Sequence, residues 1–174
     1  DPASYEEISA TAGFAYGLQR VDALIRSRIG RNLLLVGTDV HTSLMPFSQR
    51  TWAVLEGREE GPISAEEFAW NSRFRHLLVL FGDGAGAMVF RASEEDDGRG
   101  ILGARLYGDG NHQDILTVPG LGSSRRPFVT AEQIAAGETV PVMDGRKVFK
   151  LAVTLMPQVA AALLAEHGLA VSDL

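Results

Sequence analysis

The chain has 174 residues, 45% of them apolar and 22% charged, with 19 glycines, 7 prolines, no cysteine and a formal net charge of −6. That length and apolar fraction suit a folded globular chain with a sizeable core rather than a disordered one. The acidic balance speaks against nucleic-acid binding, no secretory leader opens the chain, and no uninterrupted apolar run is long enough to cross a bilayer. Without cysteine there is no disulfide framework and no thiolate metal site.

Taken in chain order, residues 8–11 read as a strand end running into a helix. Over residues 12–29, Phe14, Leu18, Val21, Leu24, Ile25 and Ile29 recur at three- and four-residue steps, an amphipathic helix that Gly30 stops. Residues 33–37 form an apolar run without alternation, which predicts a strand buried on both faces and a parallel strand–helix–strand crossover. Residues 42–75 are polar, with Ser64 before Glu66 and Glu67 as a candidate helix cap. The apolar runs 76–81 and 87–90 flank Gly82-Asp83-Gly84-Ala85-Gly86, a string that formally fits a dinucleotide-binding pattern. The β-like Met88-Val89-Phe90 that follows favours strand–turn–strand instead, with the glycines supplying positive φ and close backbone approach.

Residues 94–100 make a charged connector. Beyond it, 101–107 read as strand-like, 108–111 as a turn, 115–118 as a short strand and 120–126 as a basic loop. Residues 145–167 form a second long helix, with Asp144 a candidate cap, Pro157 inside it and Gly168 ending it. His41, His76, His112 and His167 lack metal-ligand spacing, and Asp83 and Asp109 suit local hydrogen bonds in glycine turns. Arg146, Lys147 and Lys150 open the second helix, where the helix dipole does not favour cations, so a binding role is worth weighing. Thr11 reads from the residues alone as a helix cap, since a hydroxyl at a helix start is not acidified as a thiol would be.

Four strings carry a family resemblance. Thr11-Ala12-Gly13-Phe14 is similar to the nucleophile segment of β-ketoacyl-acyl carrier protein synthase III, of the thiolase superfamily, which reads Cys-(Ser/Ala)-Gly-Phe. Residues 33–39, the string Phe81-Gly82-Asp83-Gly84-Ala85-Gly86-Ala87, and Met143-Asp144-Gly145-Arg146-Lys147-Val148-Phe149-Lys150 resemble three further segments of the family, in the same order. The resemblance implies an α/β, thiolase-like fold of two related βαβ-containing halves in five α-β-α-β-α layers, present here as an incomplete interior piece. Residues 1–93 would belong to the first half, with an insertion at about 51–75, residues 94–100 would connect, and residues 101–174 would open the second half. The family's catalytic His and Asn would follow residues 171–174.

The same resemblance implies a cytoplasmic condensing enzyme of fatty-acid or polyketide biosynthesis. Such an enzyme is an acyltransferase that loads an acyl group onto a cysteine and then performs a decarboxylative Claisen condensation with a malonyl-carrier-protein thioester. Thr11 would stand at, or just before, the nucleophile. Arg50 would stack on the coenzyme A adenine, Gly145 and Phe149 would line the pantetheine tunnel, and Phe81, Leu116 and Met143 would border the acyl pocket. Arg146, Lys147 and Lys150 would meet the acidic acyl carrier protein. No cofactor is implied as permanently bound, with acyl-CoA or acyl-phosphopantetheine as substrate, and the partners implied are acyl carrier protein and a second copy in a homodimer, with neither nucleic acid nor membrane. The missing cysteine leaves two readings open. Either a cysteine belongs between Thr11 and Ala12, or Thr11 replaces it. Replacement favours a non-condensing acyltransferase or thioesterase-like relative, or a non-catalytic module that binds acyl groups or carrier protein.

Overall fold

A computed structural model describes residues 3–95, 97–123 and 125–174. Asp96 of the expected connector and Ser124 of the expected basic loop lie outside the described residues. The fold is mixed α/β with open sheets, and the chain divides into two compact units. Unit 1 takes Asp1–Asp39, Gly84–Asn111 and Arg146–Leu174, and unit 2 takes Val40–Asp83 and His112–Gly145.

In unit 1, a 3-10 turn Ala10–Ala12 leads into helix α1, Gly13–Arg26. Strand β1, Asn32–Asp39, pairs antiparallel with β2, Gly84–Arg91, in a register running from Asn32↔Arg91 to Asp39↔Gly84. The apolar stripe of α1 lies on one face of β1. A Cβ on Gly17 would come within 2.5 Å of Leu35 Cδ1, so glycine here lets the helix approach the strand closely. Phe14 covers Gly37 in the same way. Arg26 holds Asp22 one helical turn back, at 2.7 Å, and donates to the Ile101 carbonyl at 3.0 Å. The last helix, α6, spans Gly145–Glu166, and all but its first residue belong to unit 1. Its end is fixed by the Arg105–Glu166 ion pair, while His167 and Leu163 lie close over Gly103.

Unit 2 holds helices α2, Gln49–Leu55, α3, Ala65–Ser72, α4, Arg75–Leu80, and α5, Ala131–Ala135. It also holds the short antiparallel pair β3, Leu116–Thr117, with β4, Val142–Met143. Its core is Met45, Leu77 and Val140, with Phe47, Trp52, Phe74 and Phe81 packed against it. Ser48, Ser64 and Thr130 cap α2, α3 and α5 through their hydroxyls, the last two in reciprocal capping boxes with Glu67 and Gln133. Thr51 is buried and accepts from Asn71 Nδ2 at 3.0 Å, so the polar group that α2 takes inside is satisfied.

Several expectations are corrected. Residues 8–11 hold no strand, and the sheet pairs β1 with β2 antiparallel rather than through a parallel crossover. Strand β1 alternates between half-buried and exposed residues instead of being buried on both faces, with α1 covering one face. Helix α1 stops at Arg26, before the Gly30 expected to end it, and Arg28 takes the left-handed conformation (φ 60°). Residues 76–81 are helical, not a strand. Residues 101–107 pair with no strand. Gly82, Gly84 and Gly86 show no positive φ, and a Cβ on any of them would meet nothing within 4 Å. An 18-residue stretch of helix α6 has a mean hydropathy of 1.8, which makes the helix long and apolar enough to cross a membrane by length and composition. A search for unbroken apolar runs passes over it because Lys150, Thr154, Pro157 and Gln158 interrupt the apolar residues.

Candidate functional site

In unit 1, the start of α1 lines a cleft of about 620 Å3 between residues 5–17 and β1. Tyr5, Ser9, Thr11, Phe14, Leu35 and Gly37 are among its walls. Glu7 on its rim accepts from Ser9 Oγ at 2.7 Å and pairs with Arg20 at 3.1 Å. Thr11 is exposed, sits within the 3-10 turn and caps nothing. The residue at the cap of α1 is Ala12, whose methyl group cannot accept a hydrogen bond. Ala10, immediately before Thr11, has φ 47°, a left-handed conformation that costs a non-glycine residue roughly 1–2 kcal/mol. Thr11 and Ala12 are consecutive in that turn, which closes through Ala12 N–H to Ser9 O at 3.1 Å.

The other residues singled out from the sequence are dispersed. Phe149 stands exposed near the start of α6, beside Arg146, Lys147 and Lys150, all in unit 1. Arg50, Phe81, Leu116, Met143 and Gly145 belong to unit 2. There Leu116 and Met143 are direct partners across β3 and β4, and the Met143 methyl lies 3.7 Å from where a Gly145 Cβ would be. The Arg50 guanidinium is occupied within its own unit, by the Glu59 carboxylate and by the Glu60 carbonyl at 2.7 Å. Phe81 stacks on His41, with ring centroids 5.0 Å apart.

Sequence reasoning missed the best-built polar cluster. Asp83 accepts from the backbone N–H groups of His41 and Thr42 at 2.8 and 2.9 Å, and from Thr42 Oγ1 at 2.5 Å. The Thr42 hydroxyl, then its N–H, hold the Asp83 carboxyl below its ordinary value. The carboxylate thus caps the 3-10 turn Thr42–Leu44 from 41 residues away rather than closing its own glycine turn. Only the Asp-in-glycine string was visible, and it carries no trace of such a partner. Among the described residues, no three His, Asp or Glu side chains gather as a metal site.

The family described as 3-Oxoacyl-[acyl-carrier-protein (ACP)] synthase III matches residues 63–110. Among solved structures, 3-oxoacyl-(acyl carrier protein) synthase III, FabH, from Pseudomonas aeruginosa PAO1 is 28% identical, with a TM-score of 0.61 over 91% of this chain and 39% of its own. A second 3-oxoacyl-(acyl-carrier-protein) synthase III shares the fold at 23% identity, with a TM-score of 0.61 over 94% of this chain and 43% of its own. The chain is a distant relative of these condensing enzymes. It spans about two fifths of the length of the structures it matches.

The kinship shown is at the level of the fold. The condensing-enzyme expectation, and with it the acyltransferase, ketosynthase and biosynthetic roles, is corrected. The chain contains no cysteine, and among the described residues no side chain hydrogen-bonds the Thr11 hydroxyl to activate it and no cluster of His, Asp or Glu forms a metal site.

Proposed function

We propose that the chain is a non-catalytic binding module for acyl groups presented on acyl carrier protein or coenzyme A. The observation that carries this reading is Thr11, an exposed and unactivated hydroxyl on the wall of a cleft, at or immediately before the position that the motif resemblance assigns to a nucleophile. An unassisted alcohol holds a thioester without attacking it, because a weak nucleophile needs an adjacent base or a lowered pKa. Acyl-phosphopantetheine or acyl-CoA is the ligand in this reading, with no permanently bound cofactor. Arg146, Lys147 and Lys150, exposed at the start of α6, offer positive charge to an acidic carrier protein. Arg50 serves the adenine only if it leaves Glu59, and Phe81, Leu116, Met143, Gly145 and Phe149 serve the pantetheine and acyl chain. Residues 1–93 and 101–174 then correspond to parts of two thiolase-type halves, and the module works as a cytoplasmic homodimer.

The test is a titration of the 174-residue chain with acyl-loaded and unloaded carrier protein, followed by intact-mass spectrometry. Saturable binding that favours the acyl-loaded form, with the mass of the chain unchanged, is expected. A covalent acyl adduct, or no preference for the loaded form, overturns the reading.

A further inference from the structure

Unit 2 contains a second cavity, of about 670 Å3, between residues 46–48, α3 and α5. It shares no residue with the cleft at Thr11, and nothing in the proposed function uses it. Its walls are apolar and aromatic, with Pro46, Phe47, Trp70 and Ile134 among them. Trp70 is fixed in place, its indole N–H donating to the Pro46 carbonyl at 2.8 Å and its ring meeting Phe74 edge-on at 5.2 Å.

The charges on the rim are not equivalent. Glu67 is committed, accepting from Ser48 Oγ at 2.5 Å and serving the Ser64 capping box. Arg73 also lines the cavity. Its guanidinium lies 4.9 Å from the Trp70 ring centroid and 5.4 Å from that of Phe74, and it ion-pairs with no described carboxylate. A guanidinium held against aromatic rings keeps its planar fork of donors pre-organised, the geometry that matches a carboxylate. Glu66 is the other charge on the rim, in the first turn of α3 and about two helical turns from Arg73, which follows the last residue of that helix.

We propose that this cavity binds a hydrophobic monocarboxylate, its head group on Arg73 and its apolar body against Phe47, Trp70 and Ile134. The lining is mainly apolar, with Ser48, Glu66, Glu67, Asn71 and Arg73 as its polar groups, the pattern of a small-molecule site in which a few polar groups fix orientation. The occupant is anionic because Arg73 is the rim charge that is held against aromatic rings and has no carboxylate partner among the described residues.

The experiment is calorimetric titration of the 174-residue chain with decanoate, decanol and decylamine, in the wild type and in Arg73→Gln. Decanoate is expected to bind most tightly, and R73Q to weaken it by roughly tenfold while leaving decanol within about twofold, as loss of one charge-assisted contact requires. Decanoate binding no tighter than decanol, or R73Q leaving decanoate unchanged, overturns the proposal. A preference for decylamine also overturns it and points to Glu66. Should R73Q lose its fold by circular dichroism, chemical-shift mapping of decanoate on the wild type decides. Perturbations confined to residues 46–48, 66–73 and 134–135 support the site, and perturbations centred elsewhere overturn it. Carrier-protein binding is read separately and can fail without touching this result.

Discussion

The two units bury their residues in different ways. Among the described residues, Met45, Ala53, Leu77, Ile115 and Val140 are buried hydrophobics of unit 2, whereas Val21 alone is the counterpart in unit 1. Unit 2 adds two buried polar residues, Thr51 and Gln133, both hydrogen-bonded through helix caps. Unit 1 instead has a long regular ribbon covered on one face, leaving Leu34, Val36 and Val89 exposed, and a final helix with no buried residue. Short helices thus gain their order from a shared core and from side-chain caps, while longer elements persist on backbone pairing with little burial.

That contrast can be broken most forcefully at its centre. Leu77→Ala is expected to cost unit 2 about 2–5 kcal/mol, the range for a fully buried leucine. Val21→Ala, on the helix face of unit 1, is expected to cost about 1–2 kcal/mol. Both tryptophans, Trp52 and Trp70, lie in unit 2, so urea unfolding followed by fluorescence reports that unit and far-UV circular dichroism reports both. Equal losses in the two variants would erase the distinction.

Next in size is the loss of the Ser64 cap. Ser64→Ala is expected to lower stability by about 1 kcal/mol, and Ser64→Asp to restore most of it. A null effect on the fluorescence-detected midpoint would place the order of α3 in packing alone.

The subtlest expectation concerns pH. The Asp83 carboxyl is held below its ordinary value by Thr42 and His41, so its contribution is fully present above an unfolded-state value of about 3.9 and is lost as pH falls through the lower folded value. Asp83→Asn is therefore expected to lower the urea midpoint at neutral pH, and the gap from wild type to narrow on acidification. A gap that stays constant down to pH 2 would assign the effect to shape rather than charge.

The chain shows some of this architecture in one dimension and hides the rest. Helices α1 and α6 are legible because long periodic stripes end near glycine, and Ser64 is legible because acidic residues follow it at capping distance. Helix α4 is not, because a six-residue apolar run fits strand and helix equally. The sense of the sheet is not, because β1 and β2 are separated by 44 residues whose folding back no local pattern announces. At the candidate site, Thr11 was located by its string, but the left-handed Ala10 before it was not, since nothing in Ser9-Ala10-Thr11 signals strain. The committed partners of Arg50, at Glu59 and Glu60, were equally invisible.

Asp83 has a consequence for how such a chain tolerates change. The polypeptide leaves the ribbon at Asp39 and returns at Gly84, and these two residues face each other in the register. One step further along, the Asp83 carboxylate grips the amides of His41 and Thr42, so the excursion is tied at its neck by three hydrogen bonds. With the neck closed, lengthening the segment between costs only about 0.6 kcal/mol for each doubling of its length. A relative could enlarge or trim the intervening helices while the ribbon keeps its pairing, which makes the neck at Asp83 the natural seam at which new surface is grafted onto an inherited fold.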